Sequence, residues 1–308
     1  ADMSEESKPA VLAAMGANFA IAAGKLVAGI LTGSAAMLAE AGHSFADTVN
    51  QVFLLVGINL SNAAADEKHP HGYGKEAFFW SFLAAIFIFV AGAAFSFYEG
   101  IRTLIHPHPH ERSHTELAIA FGVLGMAFIF ELASFAIAIR GLLRGARRRN
   151  WSIVRYIRQS PDLTTKTVFF EDGAALTGLA LAALGLFLSQ STGDESWDGI
   201  ASVGIGVVLT IVAFLLGLQA RNLLIGASAG KEVRDAIDDC LRGFPEVERV
   251  VRLLTMQLGA HSVLVNGELQ LRRNITLDEA EDLLRRLDAQ LAEGVPEVVD
   301  TFWELRGP

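Results

Sequence analysis

The chain has 308 residues, of which 52% are hydrophobic and only 19% are charged, whereas soluble domains carry about a quarter charged residues because their surfaces face water. The net charge of −9 argues against nucleic acid as the main partner. A single cysteine, Cys240, excludes a disulfide framework and any CxxC metal or redox motif.

Six stretches are long and apolar enough to cross about 30 Å of hydrocarbon as helices. In chain order these segments 1 to 6 are 10–32, 34–60, 77–104, 115–143, 165–190 and 196–224. Residues 230–308 hold 10 Lys or Arg and 16 Asp or Glu, against 15 and 18 in the 229 residues before them. This contrast predicts a transmembrane domain over 1–228 and a water-exposed domain over 229–308.

The connection between segments 4 and 5 is strongly basic and contains one acid, Asp162. Its positive residues are Arg140, Arg144, Arg147, Arg148, Arg149, Arg155, Arg158 and Lys166. The positive-inside rule places this connection in the cytoplasm, and an even number of segments places both termini on the same side. We therefore expect an integral, multi-pass protein of a bacterial inner membrane with both termini in the cytoplasm.

The C-terminal region has the pattern of a small α+β domain. Apolar spacing predicts, in order, a helix over Lys231–Phe244, strands over Val247–Leu258 and Ser262–Leu271, a helix over Leu277–Leu291 and a strand over Val298–Leu305. Thr276, with Glu279 three residues later, predicts a capping box for the second helix. This order is that of a ferredoxin-like sandwich lacking one strand. About 80 residues is marginal for a stable core, so we expect a homodimer.

Ionisable side chains at membrane depth are expensive and mark functional sites. In segment 2, His43 and Asp47 are four residues apart, and therefore lie on one helical face with Asn50 close by. An imidazole and a carboxylate at this spacing can converge on one cation. The pair could equally form a hydrogen bond that holds two helices together.

Segment 5 supplies a second acidic centre, Glu171-Asp172, beside small residues that permit close helix packing. It favours a metal site shared between the two segments. Such a set of nitrogen and oxygen ligands suits Zn²⁺, Mn²⁺, Fe²⁺ or Co²⁺ and disfavours Cu⁺. Adjacent residues are about 100° apart on a helix, so Asp172 is the preferred ligand. Glu171 faces the ion, a neighbouring helix or the cytoplasmic mouth.

Weaker polar signals interrupt other segments at Asn18, Lys25, Glu99 and Glu131. For each of them a structural hydrogen bond or snorkelling to the membrane surface is the preferred interpretation. Glu131 is the deepest and the best candidate among them for a proton acceptor.

Several motifs together resemble the cation diffusion facilitator family. They are Gly33-Ser34 closing segment 1, His43-Ser44-x-x-Asp47, the loop His69-Pro70-His71-Gly72-Tyr73-Gly74-Lys75, and Asp198-Gly-Ile-Ala-Ser202 opening segment 6. The resemblance implies a homodimer that exports divalent transition metals, zinc above all, in exchange for protons. It also implies a tetrahedral site with two ligands from segment 2, here His43 and Asp47, and two from segment 5.

The segment 5 motif departs from the usual His-x-x-x-Asp of this family, because Val168 stands at the histidine position when Asp172 is the aspartate. The Glu171-Asp172 pair resembles instead the zinc-transporter-nine-like branch. The fourth ligand is then Glu171, a water or a polar group from another helix. In the 2–3 loop, Asp66 and His69 match the ligand positions of an accessory metal site, whereas Tyr73 replaces a further histidine.

The sequence therefore predicts a transporter and not an enzyme, since it contains no nucleophile–base arrangement and no Walker-type phosphate loop. A divalent metal is its transported substrate, with no cofactor, and histidine, which titrates near pH 6.5, suits exchange against protons. Two alternatives are a proton-coupled small-molecule transporter of another class and a membrane-tethered ligand sensor. The physiological metal and the proton stoichiometry stay open.

Overall fold

The computed structural model describes residues 7–107, 112–148, 151–159, 163–260 and 262–307. Arg149 and Asp162 of the basic 4–5 connection lie outside these ranges. The described residues form two compact units. One comprises those of Ala1–Leu55, Ser81–Arg158 and Asp162–Leu218, and the other those of Val56–Trp80, Gln159–Pro161 and Gln219–Pro308. The division at residues 228 and 229 that composition indicates stays a prediction.

Helices follow the six predicted segments to within about five residues. In chain order, the helices of this region are α1 (Ser7–Thr32), α2 (Ala35–Ser61), α3 (Glu76–Phe87), α4 (Phe95–Ile105), α5 (His114–Arg148), α6 (Ile153–Gln159), α7 (Leu163–Thr192) and α8 (Ser196–Leu224). Segment 3 is interrupted between α3 and α4 by a π-helical stretch, Ile88–Ala94. The 4–5 connection contains the short helix α6, which sequence analysis did not predict.

Among the described residues, four helices are long and apolar enough to cross a membrane: Glu76–Ile105, His114–Arg147, Thr167–Thr192 and Ser196–Leu224. In α1 the apolar stretch Asn18–Thr32 is shorter. Glu40, His43 and Asp47 are among the polar residues that lower the mean hydropathy of α2. The polar residues therefore concentrate where the sequence predicted the ion site.

The turn from α1 to α2 is built by the two residues that closed segment 1. Gly33 takes a positive φ of 62°, a conformation that costs glycine little because it has no Cβ. Ser34 then caps α2, accepting a hydrogen bond of 3.2 Å at Oγ from the Met37 amide. The Asp198 carboxylate of α8 accepts bonds from Ser34 Oγ (2.6 Å) and the Ala35 amide (2.5 Å). The start of α2 is thus fixed to the start of α8.

Small residues allow the helices of the first unit to pack closely, as in many membrane proteins. The buried core contains alanines on several helices, among them Ala28, Ala39, Ala127 and Ala182. Helix α5 packs on both α1 and α7. The described residues of α1, α5 and α7, together with α2 as far as Leu55, belong to this unit.

The C-terminal elements are α9 (Lys231–Arg242), β1 (Val247–Gly259), β2 (Ser262–Leu271), α10 (Leu277–Gly294) and β3 (Val298–Arg306). In the part of the chain described, they form a sheet of order β1-β2-β3, in which β2 is antiparallel to β1 and parallel to β3. The apolar faces of α9 and α10, including Ile237, Leu241, Leu283 and Leu287, are buried against this sheet. The predicted element order and the Thr276–Glu279 capping box are confirmed.

Candidate metal site

The α2 face carries a buried imidazole beside a carboxylate. His43 Nε2 lies 3.4 Å from Asp47 Oδ2. Neither ring nitrogen of His43 has a hydrogen-bond partner among the described residues, and the same holds for Asp47 Oδ1 and Gln51 Oε1. Gln51 lies one further turn along, at the same four-residue spacing. This face therefore presents several buried polar atoms that have no hydrogen-bond partner in the described part of the chain.

The two predicted residues of α7 have different surroundings. Glu171 accepts a hydrogen bond of 2.7 Å from Asn50 Nδ2 of α2. Asp172 is hydrogen-bonded to Ser134 of α5, yet its Oδ2 atom is buried and has no partner in the described residues. Asp172, the preferred ligand in the sequence analysis, thus keeps an oxygen available for a cation. One oxygen of Glu171 is already hydrogen-bonded to α2.

Charge connects the two acidic centres. Glu171 interacts electrostatically with Asp47, Asp172 and Glu131, and Asp172 with Asp47. However, no three His, Cys, Asp or Glu side chains of the described residues are arranged to hold one metal ion. The structure therefore places His43, Asp47, Glu171 and Asp172 in one acidic region, and their convergence on a single ion stays a prediction.

Sequence analysis did not identify the partners of a buried lysine. The Lys25 ammonium of α1 is fully buried and donates to Glu40 Oε2 (2.8 Å) and Ser44 Oγ (2.7 Å) of α2. The predicted structural hydrogen bond of Lys25 is confirmed, and snorkelling is not observed. The sequence does show an acid, Glu40, three residues before His43. However, an ion pair between two helices leaves no local sequence pattern, so Glu40 could not be matched with Lys25.

The predicted accessory residues lie in an exposed loop before α3. Asp66 Oδ1 accepts from the amides of Lys68 (3.0 Å) and His69 (2.7 Å), and Oδ2 accepts from the Tyr73 hydroxyl (2.7 Å). The Tyr73 bond, followed by the His69 amide, holds the pKa of Asp66 below its ordinary value. His69 Nδ1 lies 3.6 Å from Asp66 Oδ1. Within the described chain, the Asp66 carboxylate organises this loop.

Comparison with known proteins identifies the family to which the chain belongs. The model of the cation efflux transmembrane domain matches residues 11–225, which include α2 to α8 and all of α1 except its first four residues. This chain belongs to the cation efflux family. The predicted fold class is confirmed: a mostly helical protein, in which four described helices are long and apolar enough to span a membrane, is followed by a small domain with a three-stranded sheet, and the family is one of transporters.

Relatives within this cation diffusion facilitator family include the human mitochondrial proton-coupled zinc antiporter SLC30A9, 31% identical over 281 residues, which cover 90% of this chain and 49% of that protein. Metal tolerance protein C4 of Arabidopsis thaliana is 32% identical over 265 residues, 86% of this chain and 57% of that protein. The cation-efflux pump FieF of Shewanella oneidensis is 27% identical over 259 residues, 84% and 80% respectively. The chain thus spans about half the length of the antiporter. The predicted zinc-transporter-nine-like branch is confirmed.

Proposed function

We propose that the chain exports divalent transition-metal cations, Zn²⁺ first, from the cytoplasm in exchange for protons by alternating access. The observation that carries this proposal is the buried face of α2, where both ring nitrogens of His43 and Asp47 Oδ1 have no hydrogen-bond partner among the described residues. Buried polar atoms are normally hydrogen-bonded, and these atoms are of the types that bind Zn²⁺. The printed names of SLC30A9 and FieF, an antiporter and an efflux pump, agree with it.

The proposed ligands are His43, Asp47, Asp172 and Glu171. Metal ligands must be deprotonated to bind, so protons and the metal ion compete for the same lone pairs. With the site open to the cytoplasm, the ion displaces protons from these side chains. With the site open to the opposite side, protons displace the ion. The metal is the transported substrate and leaves the protein unchanged after each cycle, so no cofactor is required.

The proposed orientation has both termini in the cytoplasm of a bacterial cell, with the basic 4–5 connection on the same side. Arg140, Arg144, Arg147 and Arg155 are exposed, as residues that face anionic lipid headgroups would be. The proposed assembly is a homodimer, because the C-terminal domain is small for an independent core. Light scattering of the detergent-solubilised protein measures its mass directly.

Calorimetric titration of purified protein with Zn²⁺, combined with flux into proteoliposomes, tests the proposal. The parental protein should bind a stoichiometric ion and move it only when protons move in the opposite direction. His43→Ala and Asp47→Ala should each abolish both binding and flux. As a matched control, Asp278→Ala changes an acid in the first turn of α10 and should preserve both. Zinc flux at the parental rate in Asp47→Ala would contradict the proposed site.

A further inference from the structure

Lys25 is a fully buried cation in the middle of an acidic region. Its ammonium forms two hydrogen bonds, to Glu40 Oε2 and to Ser44 Oγ, both on α2. Ser44 is the neighbour of His43 in sequence, so the ammonium lies beside the turn that carries the proposed ligands. An ammonium at membrane depth costs several kcal/mol, which indicates a role that a neutral residue could not fill.

The pairing of Lys25 with Glu40 is incomplete. Glu40 Oε1 is buried and has no hydrogen-bond partner in the described chain. It lies against α7 at Gly178, where a methyl group would overlap it. Buried ion pairs are often no more stabilising than apolar residues of similar volume, and an unsatisfied oxygen adds a further cost. Stability alone therefore does not explain why this pair is present.

The charge of Lys25 reaches the ion site. It interacts electrostatically with Asp47 and with Glu131. A fixed positive charge close to these carboxylates repels an arriving divalent cation, and this repulsion is weakly screened in a low-dielectric interior.

We propose that Lys25 is a resident counter-cation of the ion site, whose fixed charge weakens metal binding enough for the cargo to leave and balances the carboxylates once it has left. Lys25 has this role only if the ion site of the proposed function exists. The ammonium carries hydrogen-bond donors and no lone pair, so Lys25 acts through its field and is not a ligand.

The test is a Zn²⁺ titration of the full chain in lipid nanodiscs, with flux measured in proteoliposomes. Lys25→Met keeps an unbranched side chain one atom shorter than lysine and removes its charge. It should lower the Kd for Zn²⁺ by about tenfold and also lower the maximal flux, because tightly held cargo leaves slowly. Lys25→Arg restores the charge and should return the Kd towards the parental value. A purely structural role predicts weaker binding and slower flux together.

Two further variants keep the test decisive. Arg112→Met removes another buried cation, whose guanidinium bonds to the Thr32 carbonyl (2.7 Å) and Ser189 Oγ (3.0 Å), and it should leave the Kd unchanged. If Lys25→Met fails to fold, Lys25→Met/Glu40→Gln removes both charges of the pair. The double variant should still bind Zn²⁺ more tightly than the parent, because it removes the ammonium that is bonded to Ser44 beside the proposed ligands, and by a smaller factor, because the loss of the Glu40 charge acts in the opposite direction.

An unchanged or raised Kd in the folded variant lacking Lys25 overturns this role while leaving the proposed function intact, provided that the parent binds Zn²⁺ and Asp47→Ala does not. Absence of stoichiometric Zn²⁺ binding in the parent overturns both. A lowered Kd in Arg112→Met as well would attribute the effect to loosened packing and overturn the role of Lys25.

Discussion

His43 and Asp47 lie one helical turn apart with 3.4 Å between Nε2 and Oδ2, yet neither imidazole nitrogen forms a hydrogen bond among the described residues. A structural pair within α2 would form that bond, because a buried ring nitrogen without a partner costs free energy. The geometry therefore favours two side chains that face a shared ligand over a structural hydrogen bond between them.

The nitrogen donor of this pair should set metal preference. His43→Asp replaces an imidazole with a carboxylate, and oxygen ligands favour Mn²⁺ relative to Zn²⁺. We expect the ratio of Zn²⁺ to Mn²⁺ flux into proteoliposomes to fall by about tenfold, a factor that corresponds to about 1.4 kcal/mol of differential binding. His114→Asp makes the same chemical change at the exposed start of α5 and should leave the ratio unaltered. A ratio that His43→Asp does not change would exclude the imidazole as a ligand.

Helices of the membrane region follow almost directly from hydropathy. Segment 2 was predicted over 34–60, and α2 spans Ala35–Ser61, since an apolar stretch in lipid has to satisfy its backbone within a helix. The π-helical stretch Ile88–Ala94 was not predicted. Its residues are all apolar or small, so periodicity cannot distinguish a π-helix from an α-helix there.

The candidate site residues follow from the sequence, whereas their pairings do not. The four-residue spacing of His43 and Asp47 is a local pattern within a single helix, and it predicts that they share a face. The bond from Asn50 to Glu171 and the ion pair of Lys25 with Glu40 join different helices. Which helix faces lie opposite one another depends on packing, and a single sequence carries no local signal for it.

The membrane orientation can be tested with the single native cysteine. If the C-terminal domain is cytoplasmic, a membrane-impermeant maleimide should label Cys240 in inside-out vesicles and not in right-side-out ones. Burial raises the pKa of the Cys240 thiol, so its labelling should be slow. Leu277→Cys in a Cys240→Ser background offers a thiol at a position that is 75% exposed. Rapid labelling of that variant in right-side-out vesicles would reverse the orientation.

The exposed loop before α3 should gain a metal site from one substitution. Tyr73→His introduces a nitrogen donor beside Asp66 and His69, at the position where the family resemblance places a histidine. Titration with Zn²⁺ should then reveal a second equivalent per chain, which Tyr73→Phe should lack. A second equivalent in the parental protein would mean that Asp66 and His69 already bind metal.

Protonation of Asp66 in this loop should not contribute to proton coupling. Because the folded-state pKa of Asp66 is lowered, its contribution to stability is present above its ordinary pKa and is lost only as pH falls through the lower folded value. Asp66 therefore stays ionised near neutral pH. Asp66→Asn should leave the pH dependence of flux between about pH 6 and pH 8 unchanged, and a shifted profile would contradict this.

The bond from Asn50 to Glu171 raises the question of which residue completes the ion site. Val168 lies one turn before Asp172 on α7, so Val168→His would place an imidazole on the face of Asp172 and complete a set of two nitrogens and two carboxylates. Nitrogen donors favour Zn²⁺ over the harder Mn²⁺. We expect Val168→His to raise the ratio of Zn²⁺ to Mn²⁺ flux in proteoliposomes.

Glu171→Gln distinguishes the possible roles of Glu171. It removes the charge of the side chain, and the new amide oxygen can still accept the hydrogen bond from Asn50. If Glu171 is the present fourth ligand, the substitution should impair Zn²⁺ binding at least tenfold in the parent and much less in Val168→His, whose imidazole takes its place. Equal impairment of flux in both backgrounds, with binding retained, would assign Glu171 to proton transfer. Parental binding and flux in both would leave His43, Asp47 and Asp172 as the protein ligands, with water completing the shell.

The Asn50 side chain already donates a hydrogen bond of 2.7 Å to Glu171 Oε1. Ligation by Glu171 therefore requires its second oxygen or a rearranged Asn50. Asn50→Ala should therefore strengthen Zn²⁺ binding if Glu171 is a ligand, and leave it unchanged otherwise.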